Sequence, residues 1–299
     1  MRLSQIRDFV ALVEGGSMSA AARSVGVSQP SITKSIRALE AELHVQLVQR
    51  TTRGVVPTRY GRSFFARAKV ARSELEKGVE ELGELAGFKA GSVTFGCGPI
   101  VADLVVPEAI VAFRRQFPLA DLHMVEAFAH ALVPRVRDET FDFAVGPRLS
   151  DFRTTGEISF RPLFVHDRVV VGRRGHPLAR ARSLGELAGA AWLTFEPADL
   201  MKRAFASAGL PMPRPVFQCE SYIGFLRLLE STDMLGIIPR STRPLSGDPL
   251  RIFELSETLP TLTVGMFTRA DSPLTPAAAE LAKAVVASSR KLAKGRWRG

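Results

Sequence analysis

The stretch from Ser17 to Leu43, SMSAAARSVGVSQPSITKSIRALEAEL, constrains the fold more than any other part of the chain. It reads as two helices joined by a tight turn. The first is short and Ala-rich, from Ser19 to Val25, with Ser17 or Ser19 available as its cap. Gly26 follows where a helix end commonly needs a left-handed residue. Val27 is apolar and suits the corner between the helices. Ser28 is a good N-cap, and Pro30 sits just inside the second helix, where its missing N–H costs nothing. Ile32, Ile36, Leu39 and Leu43 recur at three- and four-residue spacing and predict a buried stripe. The opposite face carries Gln29, Ser31, Thr33, Lys34 and Arg37, side chains that bond to base edges and phosphates. An ordinary helical hairpin has the same outline, so the helix-turn-helix reading needs support from outside this stretch.

That support comes next in the chain. Leu47 to Arg50 and Val55-Val56 are short β-type runs around Thr52-Arg53-Gly54. They predict a hairpin with Arg50 and Arg53 on its arms and tip, a basic wing beside the second helix. The run S-Q-P-S-I-T-K-S-I-R-A-L-E-A-E-L, followed by L-V-Q-R and P-T-R-Y-G, resembles the N-terminal domain of LysR-type transcriptional regulators. The resemblance is specific over residues 1 to about 65 and collinear over the remainder. It implies a winged helix-turn-helix, a dimerising linker helix and a C-terminal α/β two-lobed domain like a periplasmic binding protein. The expected DNA contacts are Ser28, Gln29, Pro30, Ser31, Thr33, Lys34, Arg37, Arg50 and Arg53.

The charge distribution agrees. The chain of 299 residues has a formal charge of +10, and residues 1–72 alone hold twelve Lys/Arg against four Asp/Glu. A basic N-terminal domain on a near-neutral remainder fits a polyanion held by one end. The basic end from Arg290 to Gly299 is expected to be a solvated terminus rather than a second site. Two cysteines, Cys97 and Cys219, do not make a disulfide framework. Charges interrupt every apolar run near the start, and no run reaches membrane-spanning length, so the cytoplasm is expected and a membrane partner is not.

Along the chain, Leu3, Ile6, Phe9, Val10 and Val13 predict a first helix packed on the hairpin. Residues 1–58 are expected to form the winged domain and 59–88 the linker helix, with Thr58 as its cap. The linker's apolar positions, Phe64, Ala68, Ala71, Leu75, Val79, Leu82 and Leu85, fall close to a 3.5-residue repeat and predict a seam with a second copy. Gly78 and Gly83 weaken it by roughly 1 kcal/mol each. The rival arrangement is a helix packed on its own C-terminal domain. Residues 89–299 are the expected effector domain, with one lobe at about 91–162 and 267–292 and the other at about 163–266. Gly87 to Gly91 is a short hinge. A parallel sheet is expected, with strands at Ser92–Phe95, Leu122–Val125 and Phe141–Val145, and a helix from Leu104 to Phe117. Asp142 to Gly146 resembles the family's third-strand motif, although Glu139 stands where a Gly is usual. The second lobe is expected to hold strands at 169–171, 192–195, 216–218 and 235–238 and helices at 183–187, 199–208 and 221–230. A strand at 262–268 would return to the first lobe, and a helix at 276–292 would close the fold.

The junction of the lobes is the expected ligand site. Its predicted residues are Gly98, Pro99, Ile100, Phe128 and Pro147 from the first lobe and Phe195, Glu196, Ser221 and Tyr222 from the second. Strand ends and helix starts offer N–H groups to an anion, and the aromatics would cover a planar body. Many family members carry Ser or Thr in the first loop, where this chain has Gly98. Glu196 and Glu220 argue against an anion unless one points outward or pairs with an Arg such as Arg148. The Gly96-Cys97-Gly98 turn is not a dinucleotide fingerprint, because Val101 occupies the third glycine position and Pro99 removes an amide. A redox role for Cys97 and Cys219 would need a low-pKa thiolate or bridging distance, against the simpler reading of two small packed thiols. His44, His123, His130, His166 and His176 show no metal spacing, and no nucleophile elbow or phosphate-loop lysine occurs.

The expectation is therefore a regulator, not an enzyme, with no cofactor. It would bind double-stranded operator DNA as a homodimer or homotetramer and a small organic anion, with an aromatic body, as effector. The resemblance also allows RNA polymerase as a partner. C-E-S and T-P-A-A-A are similar to short runs in regulators of aromatic-sulfonate degradation. The rival readings are a cytoplasmic α/β enzyme or solute-binding module with an N-terminal interaction domain, and a nucleoid-packaging protein, which would need no effector lobe.

Overall fold

The computed structural model describes residues 1–51, 54–87, 90–148, 156–195, 199–242, 247 and 249–293. The N-terminal unit contains α1 (Leu3–Gly15), α2 (Met18–Val25), α3 (Gln29–Leu43), β1 (Val48–Thr51) and β2 (Gly54–Pro57). Its helix starts follow the capping residues. Ser17 accepts from the Ala20 amide and Ser28 from the Ser31 amide, and Gly26 takes the left-handed conformation that ends α2. Phe9, Val10, Leu12, Ala21, Ile32, Ile36 and Leu39 form the core of this unit. Leu3 is not part of it. Leu3 is largely exposed and lies with Ile6, Leu75 and Val79 along a surface groove between α1 and the next helix. Strands β1 and β2 pair antiparallel, Val48 with Pro57 and Thr51 with Gly54. The wing docks where the Val55 amide donates to the Gly16 carbonyl. That approach is too close for a side chain at Gly54, whose φ is +124°.

Helix α4 (Arg59–Leu85) runs unbroken through Gly78 and Gly83, capped by Thr58 at the Gly61 amide. The predicted seam divides into two parts. Phe64 and Ala68 pack inside their own chain, with the Phe64 ring 5.4 Å from that of Phe9. Leu75, Val79, Leu82 and Leu85 are 50–71% exposed. The polar side of α4 lies against its own C-terminal domain. Lys69 pairs with Asp138 at 3.0 Å and Lys77 with Glu139 at 3.1 Å, and the Ala277 amide donates to Glu84. Glu139 has φ +61°, the left-handed conformation that explains a Gly preference at such a position. Its carboxylate is fully buried and also faces Arg269 at 3.5 Å.

The C-terminal domain continues with β3 (Ser92–Cys97), α5 (Pro99–Leu104), α6 (Val106–Phe113), β4 (Asp121–Glu126), α7 (Ala129–Arg137), β5 (Phe143–Pro147), β6 (Ile158–His166) and β7 (Arg168–Arg173). It ends with β8 (Leu193–Thr194), α8 (Asp199–Ser207), β9 (Phe217–Gln218), α9 (Tyr222–Ser231), β10 (Gly236–Pro239), β11 (Leu250–Phe253), β12 (Leu262–Arg269) and α10 (Pro276–Ala293). The first lobe's five strands lie in the order β4-β3-β5-β12-β6. The sheet is mixed rather than parallel. Strand β3 runs parallel to β4 and β5, but β12 is antiparallel to both β5 and β6.

In the second lobe β7 lies between β10 and β11, both antiparallel to it, while β8 pairs parallel with β9. Strands β6 and β11 lie outside the sequence expectation. The expected helix 104–117 is the shorter α6, with Pro107 in its first turn, and a separate short helix, α5, precedes it over Pro99–Leu104. The expected helix at 183–187 is a single 3-10 turn at Gly185–Leu187.

The chain crosses between lobes twice. One crossing is at Asp167, between β6 and β7, and the other lies between β11 and β12. Phe95, Phe143, Val145 and Leu281 are buried in the first lobe. Trp192, Phe205 and Leu187 are buried in the second, with the Trp192 indole donating to the Leu187 carbonyl at 3.0 Å. Each such side chain contributes roughly 1.5–3 kcal/mol.

Candidate DNA-binding surface and effector cleft

The start of α3 is a projecting edge. Gln29, Pro30, Thr33, Lys34 and Arg37 line one shallow depression on it, while Ile32, Ile36 and Leu39 face inward. The Gln29 side chain is oriented by Ser19 of α2, which donates to its Oε1 at 3.1 Å. That bond uses the amide oxygen and leaves the NH2 as a donor. Ser28 and Ser31 share a hydroxyl hydrogen bond of 2.8 Å, and Thr33 donates back to the Gln29 carbonyl. Lys34 and Arg37 are exposed, and among the described residues neither has an ion-pair partner. Arg50 is exposed on β1 of the wing. Arg53 lies outside the described residues.

A second site lies between the lobes, a cavity of about 100 Å³. Gly98, Pro99 and Ile100 at the start of α5, and Pro147 at the end of β5, form one wall. The other wall is Leu193, Thr194, Phe195, Tyr222 and Phe225 of the second lobe, with Ile237 to Pro239 of β10. His166 and Arg168, on either side of the crossing at Asp167, close the hinge end and are both buried. The walls are mostly apolar, and no Asp or Glu lines the cavity among the described residues.

Six of the nine residues expected at the cleft line this cavity: Gly98, Pro99, Ile100, Pro147, Phe195 and Tyr222. Phe128 does not line it. Its ring stands edge-on against Phe195 at 4.8 Å, an aromatic contact between the lobes at the cleft mouth. Ser221 caps α9, accepting from the Gly224 amide at 3.1 Å. Glu196 lies outside the described residues. Glu220 is exposed and outside the cavity wall, and Arg148 sits over the Phe160 ring instead of beside a glutamate.

His166 and Arg168 were not among the expected contacts. Their signal is the polar His166-Asp167-Arg168 trio between two apolar runs, which reads as a plain turn.

Three titratable groups at the cleft are pushed toward their neutral forms. Burial pushes the His166 imidazole down from 6.5 to about 4, against a smaller upward pull from Asp167. Burial pushes the Tyr222 phenol up to about 12. The same cause pushes the Cys97 thiol up to about 12, the reverse of what a reactive thiolate requires. Cys97 is fully buried, and the Cys219 thiol donates to the Ser221 carbonyl; both are free cysteines.

A winged helix-turn-helix, a long linker helix and a two-lobed α/β domain with a ligand-sized cleft define a class: ligand-responsive DNA-binding regulators. The chain belongs to the LysR family of transcriptional regulators. Residues 3–62 match the bacterial regulatory helix-turn-helix protein, lysR family, and residues 86–290 match the LysR substrate binding domain. The chain is 29% identical over 300 residues to the HTH-type transcriptional regulator GbpR of Azospirillum brasilense, covering 97% of this chain and 87% of that one. It is 30% identical over 240 residues to the regulator GalR of Pseudomonas putida, covering 78% and 60% respectively.

Among solved structures, full-length OxyR from Pseudomonas aeruginosa superposes with a TM-score of 0.70 at 22% identity, over 95% of this chain and 94% of that one. CbnR in complex with its target DNA superposes with a TM-score of 0.66 at 22% identity, over 96% and 100%. These likenesses establish a fold shared with regulators. The named relatives are transcriptional regulators rather than enzymes.

Proposed function

We propose that this regulator reads a partly palindromic operator through the start of α3 and answers to a small organic anion with an aromatic body held in the interlobe cleft. Gln29, Ser31 and Thr33 would meet base edges. Lys34 and Arg37, with Arg50 and Arg53 of the wing, would meet phosphates. Ser28 and Pro30 would set the angle at which α3 enters the groove. The exposed Leu75, Val79, Leu82 and Leu85 supply a seam for a second copy of α4, which gives the two-fold symmetry a palindrome requires. A bacterial regulator of this kind works in the cytoplasm and meets RNA polymerase there. No helix of the described chain is long and apolar enough to cross a membrane.

The observation that carries the effector reading is the cleft itself. Its walls are apolar, its hinge end contains the buried Arg168, and its described lining has no carboxylate. A lining that contains an arginine and no described carboxylate disfavours a cation, which leaves an anion. A ligand that prefers one closure of the lobes over the other would shift that equilibrium, and α4 would carry the change to the wings.

Calorimetry with benzoate, benzenesulfonate and benzylamine tests the charge assignment. Binding of the first two and not of the amine is expected. Binding of the amine alone would reverse it.

A further inference from the structure

Two polar atoms are buried at the cleft without a well-formed hydrogen bond among the described residues. His166 is 5% exposed, and its Nδ1 lies 3.1 Å from the Ser241 hydroxyl, while its Nε2 bonds nothing among the described residues. The ring also packs edge-on against Phe164 at 4.9 Å. The Tyr222 hydroxyl is likewise buried; the Thr242 hydroxyl beside it is its one polar neighbour, and among the described residues neither makes a hydrogen bond of good geometry. Ser241 and Thr242 are consecutive; Ser241 meets the His166 ring and Thr242 the Tyr222 hydroxyl, and both rings line the same cavity. His166 comes from the crossing between lobes and Tyr222 from the first turn of α9. Leaving such groups buried and unpaired is unfavourable, and they commonly mark a position where something binds.

The chemistry of that binding group follows from the two atoms. The imidazole is neutral, so Nε2 is either a donor or an acceptor, depending on which way the proton lies between Nδ1 and Ser241. A phenol both donates and accepts. A carboxylate only accepts, so it satisfies Nε2 in one tautomer alone. A hydroxyl satisfies Nε2 in either tautomer and bonds the Tyr222 hydroxyl as well.

We propose that His166 and Tyr222 form a hydroxyl-recognition corner in the cleft, so that the effector class is a hydroxylated aromatic acid rather than a plain one. This rests on the reading of the cleft as a site for aromatic anions. The apolar walls hold the ring, and the corner selects where on it the hydroxyl sits.

The test is titration calorimetry on the full-length protein with benzoate and with 2-, 3- and 4-hydroxybenzoate, on wild type, His166→Phe and Tyr222→Phe. The expected result is that one hydroxybenzoate isomer binds wild type at least about tenfold tighter than benzoate, the value of one good hydrogen bond to a group otherwise left unpaired. Each substitution should remove that preference, read as the ratio of hydroxybenzoate to benzoate affinity within the same variant. Tyr222→Phe deletes a single hydroxyl whose described polar neighbour is the Thr242 hydroxyl and keeps the ring's packing, so it folds even if His166→Phe does not. Equal binding of benzoate and all three isomers to wild type would overturn the proposal and leave the aromatic-anion reading standing. Survival of the isomer preference in Tyr222→Phe would also overturn it. Absence of binding by all four acids would overturn the aromatic-anion reading and the proposal together.

Discussion

The buried imidazole of His166 gives a stability signature that can be measured without any ligand. Its folded-state pKa is about 4, against 6.5 when exposed. Between those values the unfolded chain binds the proton and the folded chain does not. Stability from this group is therefore complete above pH 6.5 and is lost as pH falls through that value toward about 4. The full effect is on the order of 3 kcal/mol, and about 2 kcal/mol of it is lost between about pH 7.5 and about pH 5. His166→Gln keeps a polar side chain of similar reach and has no proton to gain in this range. Urea unfolding followed by indole fluorescence in a Trp297→Phe background reports on Trp192 alone, in the second-lobe core. Other titrating groups contribute equally to both proteins and cancel in the difference. Wild type should lose about 2 kcal/mol more than His166→Gln over that interval. Identical pH dependence in the two proteins would show that His166 is not held neutral, and the reasoning about the cleft corner would lose its footing.

Leu75→Asp puts a charge into the exposed half of the α4 stripe; sedimentation should show monomers, and unchanged association would move the dimer interface elsewhere. Glu139→Gln leaves Lys77 and Arg269 facing a neutral amide; because Lys77 keeps Glu74 at 3.6 Å and Arg269 keeps Asp271 at 2.7 Å, chemical unfolding should show a loss near the lower end of the usual range for a broken buried pair, about 3 kcal/mol, and no loss would mean the pair is solvated. Arg37→Ala should weaken binding to all duplexes alike and lower the salt slope by roughly one phosphate contact; an unchanged slope with altered sequence preference would assign Arg37 to a base instead.

The legible parts of the fold are those fixed by local chemistry. Ser17, Gly26, Ser28 and Thr58 act at helix ends through their own backbone neighbourhood, so the helix-turn-helix and the start of α4 can be read directly. Strand β6 was hidden because Arg161 and Pro162 interrupt it, which an edge strand tolerates. Its partner β12 runs against β5 rather than with it, and strand direction depends on how the chain crosses between lobes, not on any local pattern. The same reason hid half of the cleft. Gly98, Pro99, Phe195 and Tyr222 follow strand ends that periodicity marks. His166 and Arg168 enter the cavity only because the crossing at Asp167 places both strands at its hinge. In α4 the repeat of apolar residues was visible, but not that α1 covers its first turns and leaves the rest open.

A two-fold pair of α3 helices is expected to read DNA sequence with Gln29 at the contact. Selection of binding sites from a random duplex pool by the full-length protein tests it most directly, run in parallel with Gln29→Ala. Wild type should enrich a partly palindromic sequence whose half-sites lie on one face of the duplex. Gln29→Ala should lose preference at one symmetric position in each half-site, with a cost of about 1–3 kcal/mol on the wild-type sequence and little change on random DNA. Enrichment of no motif, or the same motif from both proteins, would contradict the account.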